Sequence, residues 1–308
     1  MMRIAITGAT GLIGSAVVRA ATARGDHVIA LSRNRERAQA QLGDQIEVHA
    51  WPDPLSDPPP TAALEHADAV LHLLGEPVAQ RWSADAKQKI RDSRVLSTRA
   101  LVSTLAAIEQ ERRPTVLVSQ SATGFYGPRG QEAIDEQAAP GIDFLAEVTA
   151  AWEAEARTAE QAGLRVALPR TGVSLAKGGG ALAKMLPPFR LGVGGPVAGG
   201  RQYVPWIHLD DVVGALLRCA DDGQASGPVN LTAPSSATNG ELSRVLGHVL
   251  HRPAFLPVPG LALQVLYGEM ASIVTTGARV VPARLHELGY EFVHPELEPA
   301  LRDVLDRT

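Results

Sequence analysis

The most constraining stretch of the chain is its start, Arg3-Ile4-Ala5-Ile6-Thr7-Gly8-Ala9-Thr10-Gly11-Leu12-Ile13-Gly14, where a short apolar strand runs into three glycines spaced three apart. Gly8 permits a tight turn, Gly11 leaves a side-chain-free approach for a pyrophosphate, and Gly14 lets the next helix pack closely on the strand. That helix, Gly11 to Arg24, aims unpaired backbone N–H groups and the positive end of its dipole at phosphate oxygens. The expected cofactor contacts here are Gly8, Thr10, Gly11, Leu12, Ile13 and Gly14. Such glycines also occur in ordinary βα turns. Here a strand precedes them, an amphipathic helix follows, and a second strand, His27 to Leu31, begins where a βαβ unit needs it.

The end of that second strand selects among dinucleotides. Ala30-Leu31-Ser32-Arg33-Asn34-Arg35 lacks the acid that accepts hydrogen bonds from an adenosine ribose. Ser32 and Arg33 offer instead the hydroxyl and cation that suit a 2′-phosphate, with Arg35 and Arg37 close behind. The expectation is NADP(H) rather than NAD. The alternative is that these arginines are the solvated start of a helix.

The next informative run, Ala67 to Pro77, has the continuous apolar pattern of a buried parallel strand. The carboxyl end of such a strand faces the ligand crevice of an open α/β sheet, which places Leu73, Leu74 and Gly75 against the cofactor and Glu76 in the cleft. His72, inside the pattern, reads as a core histidine. Ser83 to Gln110 reads as a long helix with Ser83 as N-cap, and Arg94 begins its apolar half. A fifth strand, Thr115 to Ser119, opens into the hydroxyl-rich loop Ser119 to Gly127. Glu132, Asp135 and Glu136 read as rim charges. A helix over Phe144 to Ala162, closed by Gly163, leads to a sixth strand, Leu164 to Leu168, and then Pro169-Arg170-Thr171. Ser119, Arg170 and Thr171, at or just past strand ends, are further expected cofactor contacts.

The repeated βαβ order gives the fold class: α/β, a Rossmann-type doubly wound parallel sheet with a small C-terminal α+β substrate lobe. The expected boundaries are 1–172 for the dinucleotide-binding domain, with about 203–232 returning to it. Residues 173–202 and 233–308 form the substrate lobe. After the glycines of 178–180, Ala181 to Leu186 reads as a short helix, and Asp210 reads as the N-cap of another.

With 308 residues and 45% hydrophobic content the chain can bury a large core. A net charge of −4 provides no basic field for nucleic acid or an anionic membrane, which argues for a small-molecule partner. The lone Cys219 excludes an internal disulfide framework and suits a reducing cytoplasm. No run of about 18 apolar residues suggests a membrane span. No metal is expected, and the chain is expected to be a monomer or a homodimer.

The cofactor motif resembles that of extended short-chain dehydrogenases/reductases. More narrowly, Leu74-Gly75-Glu76-Pro77, Ile90-Arg91-Asp92-Ser93-Arg94-Val95, Gly124-Phe125-Tyr126-Gly127, Gly179 to Phe189 and Pro205-Trp206-Ile207-His208 resemble the epimerase-family subgroup of SDR39U1/YfcH type, within the NAD-dependent epimerase/dehydratase superfamily. The resemblance spans essentially the whole chain and implies a Rossmann domain for NADP(H) with a small substrate lobe. Short-chain dehydrogenases use a Tyr-x-x-x-Lys pair for proton handling while the nicotinamide handles hydride. The corresponding window is Phe144-Leu145-Ala146-Glu147-Val148, in which neither residue is present.

Ser121 stands at the family's catalytic Ser/Thr position. Arg94 stands where an Asn is common, and there suits an anionic substrate or the pyrophosphate. Tyr126 reads either as a replacement acid, given a nearby cation, or as a packing tyrosine. Glu76, Trp206 and His208 are the expected substrate contacts. Two functions fit this combination: an oxidoreductase or nucleotide-sugar-epimerase-like enzyme working without the standard pair, and a non-catalytic NADPH-binding sensor.

Overall fold

The structure, a computed structural model, describes residues 1–306. Its centre is a parallel sheet. The strands are β1 Arg3–Thr7, β2 His27–Ser32, β3 Glu47–Ala50, β4 Ala69–His72, β5 Val116–Ser119, β6 Arg165–Thr171 and β7 Gly227–Leu231, in spatial order β3-β2-β1-β4-β5-β6-β7. Side chains alternate between two cores, as the period of a strand demands. Ile4 and Ile6 of β1 join one cluster with Val28, Leu71 and Val118, while Ala5 joins the other with Ile29, Val70 and Leu117. Helices cover both faces, so the strands read as continuous apolar runs. On one face lie α1 Leu12–Ala23 and α6 Leu209–Asp221; on the other lie α3 Ala84–Ala107 and α4 Phe144–Arg157. Burying one such aliphatic side chain contributes ~1.5–3 kcal/mol, so these two cores dominate the stability of the sheet.

Strand order reverses between β1 and β4, and their carboxyl ends open the crevice in which doubly wound sheets bind ligands. Helix α2 (Arg35–Leu42) starts beyond the end of β2, with the Asn34 side chain accepting from Arg37 N. Ser83 caps α3 by accepting from Ala86 N at 3.2 Å, and the left-handed Gly163 follows the helical run that α4 begins.

A smaller unit packs beside the sheet. Helices α5 (Gly180–Arg190), α7 (Asn239–Val249) and the terminal helix Leu297–Asp306 share a third core of Leu182, Leu186, Phe189, Leu242, Leu246 and Leu301. Residues Trp206–His208 pair with Val173–Leu175 and carry the chain into α6. Helix α8 (Gly260–Tyr267) has no buried residue, and Leu261, Val265, Leu266 and Tyr267 on it are all exposed.

Several local expectations are corrected. The sixth strand continues through Thr171, because β7 pairs it as far as Leu231 with Thr171 and the short strand Ser121–Ala122 pairs Arg170 and Thr171; Pro169, which has no N–H to offer, lies beyond the last β5 pair, Val118 with Ala167. Helix α5 runs on through Pro187 and Pro188 to Arg190, held by the burial of Leu186 and Phe189. The N-cap of α6 is His208, whose Nδ1 accepts from Asp210 N at 3.1 Å. Asp210 and Asp211 lie in the first turn, where carboxylates complement the helix dipole. Buried Asp211 also accepts from Val293 N at 2.8 Å and His294 N at 2.9 Å, anchoring the C-terminal segment. Glu136 is no rim charge: it accepts from Asn230 N at 2.8 Å and Arg284 N at 3.1 Å, and burial raises its pKa.

Candidate active site

The glycine cradle has the geometry its spacing predicts. Gly8 has φ +68°, and a Cβ there would lie 2.7 Å from the Leu73 carbonyl oxygen at the end of β4. A Cβ on Gly14 would lie 2.1 Å from the Gly8 carbonyl oxygen, so only glycine lets α1 sit this close to the turn. Gly11, the N-cap of α1, offers no side-chain cap, and no acid occupies the first turn. The N–H groups of Leu12, Ile13 and Gly14 therefore open an uncompensated positive helix end toward the crevice. Thr10 contributes its carbonyl to Gln41 Nε2 at 2.9 Å, which braces the loop against α2.

At the end of β2, Ser32 Oγ donates to the Asn34 carbonyl at 3.2 Å, and Arg33, Arg35 and Arg37 are exposed. None of the three forms an ion pair among the described residues, so their guanidinium groups are available to an anion. Leu73 and Leu74 are half-buried and Gly75 is exposed. The Arg94 guanidinium lies over Gly75, where a Cβ would stand 3.1 Å from its Cζ. Nη1 of Arg94 donates to the carbonyls of Glu76 at 3.0 Å and Ile90 at 2.9 Å, and Cζ stands 5.2 Å from the Trp152 ring centroid. Burial pulls its pKa down to about 10, partly opposed by Glu76; at neutral pH it stays charged. Glu76 accepts from Gln80 Nε2 at 3.3 Å and, through its own N–H, donates to Ser93 Oγ at 3.0 Å.

His72 is fully buried and its protonation is legible from its partners. Thr98 Oγ1 donates to the Arg94 carbonyl, so it accepts from Trp152 Nε1 at 2.9 Å and from His72 Nε2 at 3.0 Å. His72 Nδ1 then accepts from Thr7 Oγ1 at 2.7 Å. The ring is neutral, and burial lowers its pKa to about 3.

Ser121, Tyr126 and Arg170 converge, but inside the protein rather than on the cleft. Arg170, 3% exposed, makes a two-point contact with Glu153 of α4, Nε to Oε1 and Nη2 to Oε2, both at 2.8 Å. Ser121 Oγ donates to Glu153 Oε1 at 2.6 Å. Nη1 of Arg170 donates to Tyr126 OH at 2.9 Å, and that hydroxyl donates to Asn230 Oδ1 at 2.6 Å. Tyr126 has no exposed surface, and its burial, outweighing the nearby Arg170, raises its pKa to about 12. Thr171 Oγ1 accepts from Gln120 Nε2 at 2.6 Å, and the buried Ser119 Oγ has no hydrogen-bond partner among the described residues.

Trp206 and His208 are buried as well. Trp206 is 1% exposed in the core of the smaller unit, donating from Nε1 to the Ser235 carbonyl at 2.9 Å. His208 stacks on His294 with ring centroids 3.8 Å apart, and its Nε2 faces Asp303 Oδ2 at 3.1 Å. Trp206 packs with Leu182, Leu186, Phe189 and Leu301 of the surrounding helices, which is why it turns inward. His208 Nδ1 accepts from Asp210 N, and His208, Asp210, His294 and Asp303 gather with their nitrogen and carboxylate oxygen atoms within 4.8 Å of one another, His208 buried and the other three partly exposed.

A cavity of about 510 Å³ lies between the starts of α3 and α4 on one side and α8 with the segment following it on the other. Trp82, Asp143 and Phe144 form one wall; Gln264, Glu269, Ser272, Thr275 and Thr276 form the other. Phe144 opens α4, and Val148, four residues on, is buried. Sequence reasoning missed this second wall, and it missed Glu153. The one available signal for Glu153 was a carboxylate on the apolar stripe that Ala146, Thr149, Trp152 and Ala156 mark out.

Comparison with known proteins now decides the family. Residues 4–232 match the NAD dependent epimerase/dehydratase family, and residues 258–304 match a domain of unknown function, DUF1731. The chain belongs to the NAD dependent epimerase/dehydratase family. Within that family it is 38% identical to the chloroplastic epimerase family protein SDR39U1 homolog of Arabidopsis thaliana, over 99% of this chain and 87% of the relative. It is 34% identical to human epimerase family protein SDR39U1, over 99% of this chain and 100% of the relative. A crystal structure of human SDR39U1 (isoform 2) with NADPH superposes with a TM-score of 0.86 at 31% identity, covering 100% of both chains. A UDP-glucuronic acid 4-epimerase from Bacillus cereus, in complex with NAD, superposes with a TM-score of 0.78 at 15% identity over 99% of this chain and 97% of that one, a likeness of fold. Among the described residues no helix is long and apolar enough to cross a membrane.

Proposed function

We propose that this epimerase-family chain binds NADP(H) and uses it on a carbonyl or carbinol group of a small molecule, without a Tyr-x-x-x-Lys pair. The observation that carries this is the cradle: a left-handed Gly8, a Gly14 with no room for a Cβ, and an α1 N-terminus left free of any cap. The fit of these residues to a dinucleotide pyrophosphate is supported by the relative solved with NADPH. Ser32 and Arg33 receive the 2′-phosphate, and the positive charge of Arg94 over Gly75 faces the crevice. When bound, the cofactor supplies or accepts a hydride. Residues 173–202 and 233–308 serve as the substrate lobe.

Ser121 and Tyr126 act on this site from behind. Tied to Glu153, Arg170 and Asn230, they fix the loop that follows β5, and a hydroxyl held near pKa 12 in the interior is a poor proton donor at neutral pH. A second reading, an NADPH-binding sensor that reports to a partner, is favoured by the exposed apolar residues of α8.

Titration of the apo-protein with NADPH and NADH tests the cofactor assignment. NADPH binds at least tenfold tighter, and Arg33→Ala removes about tenfold or more of that affinity, as expected for a lost charge-assisted hydrogen bond of ~1.5–3 kcal/mol. Equal affinities, or no change in Arg33→Ala, overturn it.

A further inference from the structure

We propose that the cavity between the starts of α3 and α4 and the wall formed by α8 and the segment after it selects an uncharged ring compound bearing a carbonyl, and rejects ligands that carry a diphosphate. The inference rests on the reading of this protein as an NADP(H) oxidoreductase and specifies the substrate class of that site.

A volume of about 510 Å³ at the junction of two structural units suits a single small molecule. The wall chemistry comes next. Trp82 and Phe144 meet edge to face with ring centroids 5.1 Å apart, and the Trp82 indole N–H is already taken by the Val78 carbonyl at 2.9 Å. What these two rings present to the cavity is therefore apolar surface, against which another ring stacks. Across from them, the Ser272 and Thr275 hydroxyls already donate to the carbonyls of Glu269 at 2.8 Å and Ala271 at 2.9 Å, which leaves them as acceptors, while Gln264 provides a side-chain amide. The Gln264 amide N–H can orient a carbonyl but adds no charge.

The charges exclude a diphosphate. The two ionisable side chains lining the cavity are carboxylates, Asp143 and Glu269. Lys87, whose Nζ stands 5.1 Å from the Phe144 ring centroid and 6.0 Å from that of Trp82, is ion-paired with Glu269. Arg129, whose N–H bonds the Gly277 carbonyl beside the cavity, commits its guanidinium to the carbonyls of Tyr126 at 3.1 Å and Ala139 at 2.9 Å. The helix end that points here is closed as well, because Asp143 Oδ1 accepts from Ala146 N at 2.9 Å and caps α4 with its own negative charge. A nucleoside diphosphate needs a guanidinium fork or an open helix N-terminus, and this cavity presents neither. It would meet carboxylates.

Isothermal titration of the NADP⁺-bound protein tests the proposal with three probes: menadione and 1-indanone as uncharged ring carbonyls, and UDP-glucose as the diphosphate. The expected result is saturable binding of at least one uncharged probe, weakened tenfold or more in Phe144→Ala and in Trp82→Ala, with UDP-glucose at least tenfold weaker than that probe. Glu269→Lys reverses the charge of the wall; it should strengthen UDP-glucose binding at least threefold while changing the uncharged probe less than twofold. UDP-glucose binding tighter than both uncharged probes in the native protein, or no response of any probe to the three substitutions, overturns the proposal. Affinity for NADP⁺, measured in the same samples, separates the two readings. Its absence counts against the cofactor assignment; its presence with the wrong probe order counts against the substrate class alone.

Discussion

Replacing Glu153 by Gln asks whether the Ser121–Tyr126 loop is held by a buried ion pair. The side chains of Arg170 and Glu153 are 4% and 5% exposed, and the pair is joined by two hydrogen bonds of 2.8 Å. Gln keeps the volume but leaves the guanidinium charged and uncompensated in the interior. Removing one partner of such a pair costs ~3–5 kcal/mol, a fifth or more of the ~5–15 kcal/mol that holds a typical domain together. Replacing both, as Glu153→Met with Arg170→Met, removes the charge problem. The residual cost comes from Ser121 Oγ, which loses its acceptor and would be left unsatisfied at ~1–3 kcal/mol; adding Ser121→Ala removes that too. Urea denaturation read by far-ultraviolet circular dichroism provides the free energies. The order expected is Glu153→Gln least stable, with the Met pair and the triple variant progressively closer to the native protein. A loss below ~1 kcal/mol for Glu153→Gln, which is the value of an exposed pair, or a double variant worse than the sum of its singles, would refute the reasoning.

Two further outcomes follow from the geometry around the cradle. His72 titrates near pH 6.5 when unfolded and at about 3 when folded, so its neutral form stabilises the fold fully above pH 6.5, and that stability is lost as pH falls through the interval down to about 3. The loss is on the order of 4–5 kcal/mol at ~1.36 kcal/mol per pH unit, and a urea series from pH 7 to pH 4 should show the slope, which His72→Gln would remove. Gly14→Ala puts a Cβ 2.1 Å from the Gly8 carbonyl oxygen, so α1 must move. The expected effects are ~1–3 kcal/mol of lost stability from overpacking and a more than tenfold weaker NADPH affinity, read by cofactor fluorescence.

The parallel sheet was legible because burial on both faces leaves continuous apolar runs, and the cradle was legible because close backbone approach demands glycine at fixed spacing. His72 was legible for a related reason, since a polar residue inside a buried strand must find partners in the core. The candidate site was legible only on its cofactor side. Ser121 and Tyr126 occupy the expected loop, yet whether a hydroxyl faces a cleft or the interior depends on what lies across from it. Here that is Glu153 of α4, 32 residues after Ser121, and Arg170, from the next strand. Trp206 and His208 share the difficulty, because the terminal helix and the segment containing His294 decide their surroundings. The cavity wall from Gln264 to Thr276 lies in the segment that matches DUF1731 but carries no pattern that points to a chemistry; its polar residues acquire meaning only when the fold sets them opposite Trp82 and Phe144.

The most direct measurement of the account is deuterium transfer. The protein is incubated with NADPH deuterated stereospecifically at the nicotinamide C4, together with a broad set of uncharged ring carbonyls, and the products are analysed by mass spectrometry. Hydride chemistry without the Tyr/Lys pair predicts that one C4 face delivers its deuterium to a product carbinol carbon and the other face does not. No transfer from either face across the set, by protein that binds NADPH, would contradict the account and leave the sensor reading in its place.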